Sequence, residues 1–209
     1  MAENFHKPTQ YSTDKFDTFE GGQDPAQIMR AAHDTAHALV DGARDTDDPA
    51  VLDRIVAFTD EHGIDALAEL WSRSSPSSLP GALWRIYLLR AVIQQDAVGT
   101  SLLFQRGIET LHTIDAAVTG AINPTGPAEI KELADQILRG LFRGDFGVAL
   151  DRAASFGRIV AAGAGNIADD QELLDPTRAS ELTTRADRYS RTADEFATCA
   201  RLFRAGALD

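Results

Sequence analysis

Residues 79–96 read LPGALWRIYLLRAVIQQD, and the fold follows from where these side chains point. On a helix at 100° per residue, Leu83, Trp84, Ile86, Tyr87, Leu88, Leu89, Val92 and Ile93 leave no broad polar stripe, and a helix apolar all round is buried on most sides. The pattern predicts a central helix over 80–96 with the other elements packed round it. Arg85 and Arg90 stand within it, and a buried helix cannot leave either guanidinium unpaired, because an uncompensated buried charge is strongly destabilising. Each is expected to reach a carboxylate or backbone carbonyls, with Glu69, Asp96 and Asp135 as candidates.

Toward the N-terminus, Asp24 followed by Pro25 is a helix start: the carboxylate caps free N–H groups and the proline takes the first helical position. That helix is expected over 25–40. The same pair at Asp48 and Pro49 opens a second helix ended by Gly63, and Asp65 caps a short third one through Trp71. Residues 1–23 are polar and lack a sustained period, so they read as a mobile tail. The tail interleaves Phe5, Tyr11, Phe16 and Phe19 with Asp14, Asp17 and Glu20.

Toward the C-terminus, Asp96 caps a short helix carrying Val98, Leu102, Leu103 and Phe104, with a break expected at Gly107 and a further helix over 108–118. After the turn NPTGP (123–127), Ile130, Leu133, Ala134, Ile137, Leu138 and Leu141 recur at three and four, so that face is core. Asp145 caps the next helix, where Ala149, Ala153, Gly157 and Ala161 form a stripe of small residues. Behind Asp175 and Pro176, the last helix alternates Ala179, Ala186, Ala193 and Ala200 with Leu182, Tyr189, Phe196 and Phe203. Two such surfaces predict an antiparallel, closely spaced hairpin joined by the acidic loop 169–175. The expected fold is all-α: one helical domain over 24–209, a bundle of seven or eight helices round the central one. The four large seam residues need cover from the core or from a second copy, and an isologous homodimer is the expected remedy if the core does not reach them.

The segments LPGALWRIYLLR (79–90) and RGLFRGDFGVALDRAASFGRIVAAG (139–163) resemble a set of actinobacterial all-helical proteins with no established activity. The resemblance covers the middle of the chain; it implies bacterial origin and a helical fold and carries no catalytic residue across.

Composition narrows the function. With 44% apolar and 25% charged residues, the 209-residue chain has the balance of an ordinary globular protein, and it has no apolar run long enough to span a bilayer. MAENFHKPTQ does not read as a secretory signal, and a lone cysteine, Cys199, suits a reducing compartment, so a cytoplasmic location is expected. A net charge of −12 disfavours nucleic acid as a partner.

The leading expectation is a non-enzymatic protein-interaction or regulatory protein with no cofactor. The sequence has no nucleophile elbow, phosphate loop or dinucleotide fingerprint. Its candidate partner-binding residues are Tyr11, Phe16 and Phe19 of the tail and Arg185, Arg188 and Arg191 on the outer side of the last helix, a strip equally suited to solvated intrahelical pairing. The second expectation is a divalent-metal protein or metal-dependent enzyme. His33 and His37 stand at i and i+4 with Asp41 one turn on, and Glu109 and His112 form one Glu-x-x-His spacing. A HxxxH pair without the zincin glutamate also marks an ordinary helix shoulder, and all five residues can share a site only if their helices are neighbours. The third is a helix-turn-helix regulator, disfavoured because IETLHTIDAAV (108–118) offers no Arg or Lys.

Overall fold

A computed structural model describes residues 24–44, 70–121, 125–143 and 145–209. Its elements are α1 Pro25–Arg44, α2 Leu79–Gln95, α3 Ala97–Thr110, α4 Asp115–Thr119, α5 Pro127–Arg143, α6 Phe146–Gln171 and α7 Pro176–Arg204, with no strand among the described residues. The architecture is the expected all-α bundle. Helix starts follow the sequence signals: the carboxylates of Asp96, Asp145 and Asp175 accept from the backbone N–H of Gly99, Val148 and Arg178, and Ser78 accepts from Gly81. The tail with Tyr11, Phe16 and Phe19, the two helices expected between 48 and 71 apart from the turn at Trp71, and Glu69 lie outside the described residues.

Among the described helices α6 is the most enclosed. It packs on α3, α4, α5 and α7, and large and small side chains from Phe146 to Ala168 are buried round it. The α6–α7 hairpin forms as the alternation predicts: a Cβ at Gly157 would lie 3.0 Å from the Ala193 Cβ and 3.2 Å from the Tyr189 carbonyl. The large seam residues Leu182, Tyr189 and Phe196 are buried within the single chain, and Phe203 packs on Phe146 with ring centroids 5.0 Å apart. The chain's own core therefore covers the seam, and the motive given for a dimer through the last two helices is removed.

α2 touches α1, α3, α5 and α7. Its first two turns are enclosed, with Leu83, Ile86 and Tyr87 in the core, but its second half leaves Leu88 and Val92 40% and 41% exposed. Both arginines are paired as a buried helix requires. Arg90 Nε donates to Asp135 Oδ1 at 2.6 Å, and Asp135 is among the expected partners. Arg85 takes one that was not: its Nε donates to Glu195 Oε2 on α7 at 2.5 Å, and its Nη1 to the Gly81 carbonyl at 3.0 Å.

One expectation fails at Gly107. α3 runs through it to Thr110, and in place of a separate helix over 108–118, residues 108–110 close α3, 111–114 form a loop and the short α4 follows. Gly107 is where two backbones cross: an added Cβ would stand 1.9 Å from the Ile159 carbonyl oxygen, and one at Gly163 on α6 would stand 1.8 Å from the Leu103 carbonyl oxygen. The glycines let α3 and α6 touch, and neither interrupts its helix.

Candidate functional site

α2 and α7 run antiparallel. Arg85 meets Glu195, and ten residues back along α7 Arg185 reaches Asp96 at the far end of α2, its Nη1 3.4 Å from Oδ2. Between them lies an open groove of about 720 Å³, within the range of sites that take a drug-sized ligand or a few side chains of a partner. Leu88, Leu89, Val92 and Leu182 give it an apolar lining, and Arg85, Arg178, Arg185, Arg188 and Arg191 stand against two glutamates, Glu181 and Glu195. On a chain of net charge −12, this concentration of arginines is a local inversion of sign.

Most of those arginines are already paired. Arg85 holds Glu195, Arg178 lies 3.2 Å from Glu181, Arg185 reaches Asp96 and the Thr100 hydroxyl, and Arg191 pairs with Asp187 one turn back. Arg188 is exposed, and its guanidinium has no hydrogen bond or ion pair among the described residues. The Arg178 and Arg191 pairs are exposed and exchange readily with water, so they are open to re-pairing with an incoming acid. Arg185 also lies 5.8 Å from the centroid of the Tyr189 ring, whose hydroxyl is buried without a hydrogen-bond partner among the described residues. The arginine strip read from the sequence thus forms one wall of a groove, and the opposite wall, Leu88 and Val92, is what the sequence reasoning missed by placing those residues in the core.

The five metal candidates do not form one site; only His33 and His37 stand together. His33 Nδ1 and His37 Nε2 lie 3.8 and 3.3 Å from one carboxylate oxygen of Asp209, which also accepts the Leu79 N–H through its backbone oxygen. Asp41 is exposed. Glu109 is exposed in the last turn of α3, and His112 lies beyond that helix, its Nδ1 3.1 Å from the Thr110 carbonyl, so the Glu-x-x-His pair shares no helix face. α1 packs on α2 and α5, while α3 packs chiefly on α6 and α5. Among the described residues no group of three or more His, Cys, Asp or Glu side chains is placed to hold a metal ion. The helix-turn-helix spacing is likewise unrealised, because the loop after Thr110 and the short α4 stand where the recognition helix was expected.

The other polar cluster is a clasp. Arg158 on α6 donates through Nε and Nη2 to Asp115 Oδ1 at 2.8 and 2.6 Å, and Thr113 donates to the second oxygen at 2.6 Å. Burial pushes the Asp115 carboxyl up, but hydrogen bonds from Arg158, Thr113 and Ser155 outweigh it and hold the group below the ordinary carboxylate value. It ties α4 to α6. Cys199 is inert as a nucleophile: burial raises its thiol to about 11, and the Sγ–H points at the Pro76 carbonyl at 3.2 Å.

No described helix is long and apolar enough to cross a membrane. Compared with family models, with curated proteins and with solved structures, the chain matches none of them.

Proposed function

We propose that the chain is a non-enzymatic protein-interaction module whose α2–α7 groove takes an acidic, amphipathic segment of a partner protein. The observation that carries this reading is the pairing of exposed Leu88 and Val92 with the arginine-rich flank of α7, including the unpaired Arg188, on a chain that is otherwise strongly acidic. Apolar residues of an incoming segment would cover the leucines and the valine, while its carboxylates would meet guanidinium N–H groups in the fork geometry arginine offers. Long-range repulsion from the rest of the acidic surface discourages acids from docking elsewhere, so the groove selects by position as well as by contact.

The test is fluorescence anisotropy with labelled helical peptides that alternate Leu with Glu, against matched peptides carrying Lys for Glu. The acidic set should bind and the basic set should not. Arg188→Glu and Val92→Ser should each weaken the acidic set by about tenfold, with melting curves unchanged because both positions are open to solvent. Equal binding of acidic and basic peptides, or binding indifferent to both substitutions, would overturn the reading.

A further inference from the structure

The turn between α6 and α7 carries two of the most exposed large apolar side chains of the described residues. Leu173 and Leu174 are 95% and 79% exposed at the tip of the longest hairpin among the described residues. Round them stand Asp169, Asp170, Glu172 and Asp175, all exposed. An adjacent pair of solvated leucines gains nothing for the fold of the single chain, and such a patch rimmed by charge marks a contact surface. The tip is therefore acidic and apolar and complements the groove: leucines for its apolar lining, carboxylates for its arginines.

We infer that the groove is filled, in the free protein, by the α6–α7 tip of a second copy of this chain, in a twofold dimer where each copy's Leu173 and Leu174 sit in the other's groove. The inference rests on the groove being a binding site for acidic amphipathic segments, as proposed above. Position supports the symmetry. The groove begins at Arg178, only three residues and roughly 4.5 Å of helix rise beyond Asp175, so tip and groove are neighbours on one surface. A tip adjacent to its own receptor site cannot fold back into it, but a twofold axis beside the pair lets both exchanges occur at once and closes the assembly at two copies. The dimer differs from one made through the Leu182–Phe203 seam, which the chain's own core covers. A partner segment must then displace the tip, so occupancy by a partner and dimerisation exclude one another.

Sedimentation equilibrium on the full chain is the first measurement. Wild type should be a dimer, and Leu173→Ser with Leu174→Ser should raise the dissociation constant about a hundredfold while the helical circular-dichroism signal of the monomer is kept, since both side chains face water in the single chain. Charge exchange gives the second, independent measurement. Arg188→Glu alone sets acid against acid at both half-sites, and Glu172→Arg alone sets base against base, so each variant should be monomeric. Mixed in equal amounts they should associate, because one half-site then sets the two introduced charges, opposite in sign, against each other and the other half-site keeps the native Arg188 and Glu172. A wild type that stays monomeric up to about 1 mM, the weak limit of specific association, would overturn the inference, as would a dimer untouched by the leucine changes or a mixture that fails to associate. If the chain is monomeric yet acidic peptides still bind in an Arg188-dependent way, the self-association fails and the groove reading stands; if neither occurs, both fall.

Discussion

Helix α7 presents two unlike faces. Toward α6 it offers Ala193 between the buried Tyr189 and Phe196, and the partner helix answers with Gly157, so the backbones close to contact and water is excluded. Toward α2 it offers Arg178, Arg185, Arg188 and Thr192, and α2 answers with Leu88 and Val92, so an open groove remains. Side-chain length therefore sets what a helix pair can do. Short side chains on both partners let two helices lock, whereas long charged ones on one partner hold them apart and leave apolar surface that only a third element can cover.

The severest test of that contrast puts one charge into the closed face. Phe196→Glu forces a carboxylate into a site where the native ring is 1% exposed, and the expected loss exceeds about 4 kcal/mol, enough to abolish the helical circular-dichroism signal. A folded but smaller species would instead mean that the seam lies between subunits. Next comes Gly163→Ala at the α3–α6 crossing. The substitution should gain about 1 kcal/mol in helix propensity, yet its methyl group would overlap the Leu103 carbonyl, and a net loss of about 3 kcal/mol in urea denaturation is expected. A midpoint at or above wild type would show that the crossing is loose.

The smallest effect belongs to the clasp on α4. Because Asp115 has a folded-state pKa below its unfolded one, the unfolded chain binds the proton more readily. Its contribution is full above the ordinary carboxylate value and is lost as pH falls through the folded pKa. Asp115→Asn should therefore cost about 1–2 kcal/mol at neutral pH, and the gap to wild type should narrow steadily in acid. A gap that is constant with pH would mean that the hydrogen bonds to Thr113 and Arg158 act without the charge.

The helix starts were legible in the sequence because a cap is a local device: an Asp accepting an N–H three residues on needs no knowledge of the rest of the chain, and Asp96, Asp145 and Asp175 all act so. The hairpin was legible because both halves of its seam repeat over many turns. Gly107 was not, since a glycine that breaks a helix and one that admits a neighbour look alike until Ile159, on another helix, is known to lie against it. The groove was half legible. The arginines of α7 stood out as a strip, but periodicity records only that Leu88 and Val92 are apolar, and whether they are covered depends on how far α7 stands off. Glu195 escaped as the partner of Arg85 for the same reason, since 110 residues separate them.

The single buried thiol makes the chain convenient for spectroscopy. Cys199 is the only cysteine in the chain, is closed off from solvent, and with its proton held to about pH 11 exposes roughly one thiolate in ten thousand at neutral pH. The wild-type chain should therefore be silent toward maleimide and methanethiosulfonate reagents, so a cysteine introduced at Val92 or at Leu173 would take a fluorophore or spin label alone. Distances between labelled groove and labelled tip become measurable in solution without first removing a native sulfur from the core.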